Sequence, residues 1–278
     1  MKIAITLDSA CDLTPELLEK YDFKTIPFTV NLGGKSFEDG QMDTMDIYNY
    51  VDETGTLPKT SAINEESFYN FFSEVRKSYG AIIHFDISSE ISSTYQNAVN
   101  AAKRVSNVYV VDSRSLSTGI SLLAIYAREM SKTVSDPKKI AETVRKMTDK
   151  IQASFVVERL DYLYKGGRCS ALALLGANIL KIRPQIVLQD GKMKPTRKYR
   201  GKMARVVSDY CRDMLRDYPN ADKRICFITH SRATQDMIDA AREAVQNAGF
   251  ETVYETIAGC TISSHCGKNT LGILFLNK

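Results

Sequence analysis

Short apolar, β-branched runs alternate with longer stretches of helical periodicity through the first half of this chain. That alternation restricts the fold more than any other feature. Residues 2–7, 25–32, 81–87 and 107–111 are strand-like. Residues 65–79 repeat Phe, Tyr and Val at helical spacing, and residues 92–105, 117–131 and 136–151 also read as helices. Thr14-Pro15-Glu16 and Asp136-Pro137 carry the capping residue and first-turn proline of helix starts. This rhythm predicts a mostly parallel sheet with helices on both faces.

The second half reads differently. Residues 153–157 are strand-like, and Ser170 caps an almost wholly apolar helix over 171–180, expected to be buried and to line a cavity. Residues 185–188 and 192–199 form a hairpin around Asp190-Gly191. An amphipathic helix over 202–218, a strand over 225–229, a helix over 234–247 stopped by Gly249, and two last strands complete the chain. The expectation is two α/β domains. An N-terminal domain spans 1–157 and a mixed C-terminal domain spans 158–278, with a ligand cleft between them.

Composition removes several function classes. The chain has 278 residues, 44% hydrophobic and 25% charged, as in ordinary globular proteins. No apolar run reaches the roughly eighteen residues of a membrane span. The opening Met1-Lys-Ile-Ala-Ile-Thr-Leu-Asp8 turns acidic too soon for a signal peptide, so a cytoplasmic location is expected. A net charge of +4, without basic residues massed among aromatics, argues against nucleic acid. The six cysteines include no Cys-x-x-Cys pair. Cys260 and Cys266 read as small thiols of a packed loop rather than as metal ligands with His265, so no metal is expected. Gly34-Lys35-Ser36 ends like a phosphate loop, but Thr29 holds the earlier glycine position. Gly-x-Gly-x-x-Gly and Gly-x-Ser-x-Gly motifs are missing, so neither a dehydrogenase nor a serine hydrolase is evident.

Three neutral, donor-rich segments stand out instead. Residues 88–97 hold Ser88, Ser89, Ser92, Ser93 and Thr94 between a strand and a helix, where free N–H groups and hydroxyls suit an anion. Capping explains one serine well and four poorly. Thr60-Ser61 precede a helix near Asn64, and alone they read as capping residues. The segment from Gly259 to Gly272 reads as a hydroxyl-rich loop between strands, with Ser263, Ser264 and His265 at its centre. His265 would donate an N–H, charged or neutral. His84 reads as core, and His230 lies at a strand end beside Ser231. Lys165-Gly-Gly-Arg168 is either a solvated turn or an arginine brought to an anion. The basic run Lys192, Lys194, Arg197, Lys198, Arg200 and Lys202 is either a charged edge hairpin or a docking patch for an acidic partner or a phosphorylated product.

In this order, the segments resemble the bacterial DegV family of fatty-acid-binding proteins. The similarity rests on Asp8-Ser-Ala-Cys-Asp-Leu-Thr14, Thr60-Ser61, Ser88-Ser-Glu-Ile-Ser92-Ser-Thr-Tyr-Gln96, Val111-Asp112-Ser113, Lys165-Gly-Gly-Arg168, Lys198-x-Arg200-Gly and His265-x-Gly267. It covers essentially the whole chain. It implies one long-chain fatty acid, such as palmitate, held between two α/β domains without a cofactor. Thr60 or Ser61, Ser92 and His265 would hold the carboxylate, with Ser93 beside them. Arg168, Arg200 and Ser264 would lie near the head group or a partner surface. The implied partner is a separate fatty-acid kinase that makes acyl phosphate for phospholipid synthesis, with transient membrane contact. Ser93 replaces the family's glycine, Ala62-Ile63 follow Thr60-Ser61 in place of Gln-Pro, and Lys268-Asn269 follow Gly267 in place of Pro-Gly.

The residue types suit such a ligand. Burying about fourteen methylenes at roughly 0.8 kcal/mol each gives at most about 11 kcal/mol, less ordering costs. The carboxylate must find donors, which serine, threonine and histidine supply. Two other readings remain: a Ser92/His265 acyl or phosphoryl hydrolase, and a small-anion sensor.

Overall fold

The structure, a computed structural model, describes residues 2–169 and 182–278. The apolar helix expected over 171–180, with Ser170 as its cap, lies outside the described residues. The described strands are β1 (Ile3–Asp8), β2 (Phe23–Ile26), β3 (Thr29–Leu32), β4 (Lys35–Glu38), β5 (Lys59–Ser61), β6 (Ala81–Asp86), β7 (Val108–Asp112), β8 (Ile151–Val156), β9 (Arg183–Gln189), β10 (Lys192–Tyr199), β11 (Ala221–Ser231), β12 (Thr252–Ile257) and β13 (Thr270–Asn277). They form three sheets, ordered β2-β1-β6-β7, β4-β3-β5 and β10-β9-β8-β13-β11-β12.

The first sheet is wholly parallel, as the sequence rhythm predicts. Its central strands β1 and β6 are buried along their whole length, the condition of parallel strands covered on both faces. Helix Glu65–Arg76 brings Phe68, Phe72 and Val75 to the core. Helix Thr118–Met130 packs against β1 and β6, and also against β8 and β13 of the second sheet. Between two sheets this helix opens to solvent only towards its C-terminal end, where Glu129 is exposed. This accounts for its apolar and small residues all round, from Ile120, Leu122 and Leu123 to Ala124 and Ala127. One continuous apolar core therefore joins Ile5 and Phe85 to Phe155, Ile186 and Leu274. Helices Met203–Asp217 and Gln235–Asn247 pack on each other and share the second core with β11 and β13 residues such as Ile228 and Ile273.

Three sequence expectations need correction. The single strand over 25–32 is two strands in different sheets, broken at Pro27, which has no N–H for a ladder. The segment between the last two strands is a helix, Cys260–Cys266, and not a loop. Strand β8 precedes the expected boundary at 157/158, yet it pairs with β9 and β13 in the second sheet. Both hairpins form as expected, each with two turn residues in the left-handed region: Gly33 and Gly34, then Asp190 and Gly191. No helix among the described residues is long and apolar enough to cross a membrane.

Candidate functional site

Strand β6 ends at Asp86, and the chain then turns through Ile87–Ser93 into helix Thr94–Ala102. Four serines occupy this turn and divide into two pairs. Ser88 Oγ donates to Gly191 O at 2.8 Å, and Ser89 Oγ donates to Asp112 Oδ2 at 2.5 Å, so these two are structural. Ser92 and Ser93 line a cavity of about 290 Å³ with Thr60, Arg168 and His265. The other walls are mostly apolar, with Phe28, Ile87, Ile91, Leu116, Met193 and Ile262. Five predicted site residues from four segments thus meet in one place. Ser61, Ser264 and Arg200 do not join them. Ser61 is exposed and accepts from Asn31 Nδ2 at 3.1 Å. Ser264 Oγ donates to Cys260 O at 2.6 Å within its own helix. Arg200 and Lys268 are exposed away from the walls.

Thr60 does not cap the following helix, contrary to its reading in isolation. Asn64 takes that role, accepting from Ser67 N at 2.8 Å. Thr60 instead sits on β5 opposite Val30 of β3, and its Oγ1 shares a 2.7 Å hydrogen bond with His265 Nε2. The other ring nitrogen, Nδ1, has no hydrogen-bond partner among the described residues. It faces Gly166, where an added Cβ would come within 2.7 Å of it. Burial, and then the nearby Arg168 guanidinium, lower the His265 pKa to about 4. His265 is therefore neutral near pH 7. Of the two forms open to it from sequence, burial favours the uncharged imidazole, whose Nε2 is donor or acceptor to Thr60 according to tautomer. Arg168 is half-buried, and its Nη1 donates to Gly166 O at 2.7 Å.

The helix Cys260–Cys266 carries Thr261, Ile262, His265 and Cys266 to the cavity. Gly259, which precedes it, offers no side-chain cap. Its first N–H groups go to carboxylates far away in sequence: Gly259 N to Asp12 Oδ1 and Cys260 N to Asp39 Oδ1, both at 2.8 Å. Sequence reading gave neither aspartate a role. Asp12 appeared only within the opening motif.

A second polar layer lies beneath the serine turn. Asp8 and Asp86 end the neighbouring strands β1 and β6, and Asp8 Oδ2 accepts from Ile87 N at 2.6 Å. Both are fully buried, and Asp8 Oδ1 and Asp86 Oδ2 lack hydrogen-bond partners among the described residues. Burial first, then the charge of Asp86, raises the Asp8 pKa well above the usual carboxylate range. His84 is core, as expected, bonded to Thr6 Oγ1 at 2.8 Å and Asp86 Oδ1 at 3.1 Å. His230 lies in a separate, small cavity of about 30 Å³ that shares Leu116, Ile262 and Cys266 with the main one.

A larger groove of about 780 Å³ shares no lining residue with the Thr60–His265 cavity. It carries Arg114, Asp149, Lys150, Asp190, Arg197 and Asp217, a charged lining unsuited to an apolar tail. The smaller cavity joins apolar walls to hydroxyls, an imidazole and a guanidinium, and of the residues singled out by sequence it holds Thr60, Ser92, Ser93, Arg168 and His265.

Residues 2–278 match the family described as uncharacterised protein, DegV family. The chain belongs to the DegV family. A Thermotoga maritima relative named fatty acid-binding protein is 31% identical over 284 residues, covering 98% of this chain and 96% of its own. Two solved structures share the whole fold. One, from Thermus thermophilus, is described as fatty acid binding of a DegV family protein, with a TM-score of 0.92 and 25% identity over all of both chains. The other is DegV of Bacillus subtilis, described as a fatty acid binding protein, with a TM-score of 0.87 and 26% identity, again over all of both chains. The two-domain α/β architecture expected from sequence is that of these DegV structures.

Proposed function

We propose that this DegV protein binds one long-chain fatty acid, with its carboxylate at Thr60, Ser92 and His265 and its tail along Ile87, Leu116 and Ile262. The observation that carries this reading is the mixed lining of the 290 Å³ cavity, largely apolar, with the hydroxyls, imidazole and guanidinium of Thr60, Ser92, Ser93, Thr261, His265 and Arg168 among its walls. Fatty-acid binding by the named relatives supports it. A bound carboxylate takes hydrogen bonds from Thr60 and Ser92 and the positive field of Arg168. A neutral imidazole adds hydrogen bonding without a fixed counter-charge. The affinity then rests on the buried tail, and the head group selects an acid over an alcohol or ester.

The protein acts as a cytoplasmic carrier that presents the acid to a separate fatty-acid kinase subunit, with transient membrane contact for loading. Exposed Lys192, Lys198, Arg200 and Lys202 offer a basic surface for that docking. A Ser/His hydrolase fits less well. Ser92 Oγ bonds Thr94 Oγ1 at 2.9 Å, and His265 Nδ1 meets no orienting acid among the described residues. Native mass spectrometry of freshly purified protein, followed by solvent extraction, tests the proposal. One equivalent of a long-chain acid is expected. Protein that stays lipid-free after incubation with palmitate would refute it.

A further inference from the structure

The helix that carries His265 is held at its start from outside. Helix N-termini leave their first N–H groups without intrahelical partners, and a local side chain usually takes one of them. Gly259 has no side chain to do so. Asp12 Oδ1 and Asp39 Oδ1 accept from Gly259 N and Cys260 N instead. Each carboxylate is fixed through its second oxygen. Ser117 Oγ donates to Asp12 Oδ2 at 2.5 Å, and Ser9 Oγ donates to Asp39 Oδ2 at 2.9 Å. Ser9 Oγ also accepts from Phe28 N at 3.0 Å, and Asp39 N donates to Phe28 O at 2.8 Å. Phe28 lines the cavity. A Cβ on Gly259 would stand 3.0 Å from Asp39 Oδ1 and 3.4 Å from Asp12 Oδ1, so any larger residue there crowds both carboxylates.

We propose that Asp12 and Asp39 are positioning residues for the head-group site, setting through Gly259 and Cys260 the depth at which His265 meets Thr60. The helix is only seven residues long, so its start and its end are about two turns apart. Loss of one anchor tilts the helix, and His265 lies at its other end. The same Asp39 network fixes the Phe28 backbone, so one carboxylate sets both the polar contact and part of the apolar wall. The affinity consequence rests on the fatty-acid reading above; the imidazole consequence does not.

The test compares Asp39→Ala with Asp136→Ala, which removes an ordinary cap at Lys138 N and Lys139 N of helix Pro137–Arg145. Three signals are read on the full chain: thermal midpoint, palmitate Kd and the His265 imidazole ¹⁵N resonances, separable because the chain has 3 histidines. Asp39→Ala is expected to move the His265 resonances and weaken palmitate about tenfold, as the loss of a charge-assisted hydrogen bond would. Asp39→Asn, which keeps an acceptor for Cys260 N, restores most of both. Ser9→Ala, which removes only the outer support, gives a smaller change of the same kind if Asp39→Ala does not fold. Asp136→Ala lowers the midpoint and leaves the other signals at parental values. The proposal is overturned if Asp39→Ala and Ser9→Ala leave His265 resonances and palmitate Kd unchanged. A parent that binds no palmitate would sink the fatty-acid reading, and the resonances would still decide the positioning role.

Discussion

His265 Nε2 lies 2.7 Å from Thr60 Oγ1, although 205 positions separate the two residues. The contact links the small β4-β3-β5 sheet to the last helix of the chain. It also separates hydroxyls that face the cavity from hydroxyls that merely neighbour it in sequence. Thr60→Val and Ser92→Ala are expected to weaken palmitate binding about tenfold each, on the scale of a hydrogen bond to a charged group. Ser61→Ala and Ser264→Ala should leave it within about twofold, since neither hydroxyl lines the cavity. Isothermal titration on the four variants checks the division, and equal losses from all four would contradict it.

Protonation of His265 sets a pH window. Its folded pKa of about 4 lies below the ordinary value of 6.5. The unfolded chain therefore takes up this proton first as pH falls. The stability from keeping His265 neutral is present above about 6.5 and lost progressively down to about 4. His265→Gln should flatten the dependence of thermal midpoint on pH in that window. Palmitate affinity of the parent should change little between pH 7 and 8, where His265 stays neutral. A steep change across that upper range would mean that the imidazole is charged when the acid binds.

Burial pattern was the readable part of this sequence. Strands β1 and β6 and the Thr118–Met130 helix announce themselves because parallel strands and enclosed helices must be apolar throughout. Pro27 was a visible strand break that the apolar pattern around it masked. Other features were settled by distant partners and left no local trace. Residues 260–266 read as a loop because Cys, Thr and Ser form helices poorly. Asp12 and Asp39 satisfy that helix start from far away in the chain. Thr60 looked like a cap because Asn64 is close in sequence, while its partner strand β3 lies a strand and a helix earlier in the chain. Leu116 and Met193 line the cavity, Met193 from inside the basic run, and neither side chain marks itself, since any apolar residue at those places would look the same. The membership of β8 in the second sheet is likewise a matter of strand order, which local pattern does not encode.

The Asp8–Asp86 pair makes a prediction of opposite sign to His265. Burial raises both folded pKa values above those of free carboxylates. As pH rises, the unfolded chain ionises these groups first, so the folded state loses relative stability from about pH 4 upward until they ionise in place. Asp8→Asn keeps an oxygen to accept from Ile87 N and offers an amide donor towards the neighbouring strand end. The difference in thermal midpoint between Asp8→Asn and the parent should therefore grow in favour of the variant from pH 4 to pH 8. A difference that is constant or reversed with pH would show that the pair is ionised in the folded protein throughout.

Gly166 is the tightest constraint on the head-group site. An added methyl would come 2.7 Å from His265 Nδ1 and 2.7 Å from Tyr162 O, distances at which something must shift. The carbonyl is tied down, because it accepts from Gly166 N at 2.9 Å in the helix Asp161–Lys165. The imidazole is held by one hydrogen bond to Thr60, so the ring is the softer of the two neighbours. Gly166→Ala should push it off Thr60 and lower stability by about 1–3 kcal/mol, the usual cost of an overpacked site. Palmitate affinity should fall by about as much as in Thr60→Val, and the double variant should bind no worse than either single one, because both remove the same contact. Additive losses in that double-mutant cycle would mean that the methyl acts elsewhere, on the Tyr162 backbone, and that the glycine is required by its helix and not by the histidine.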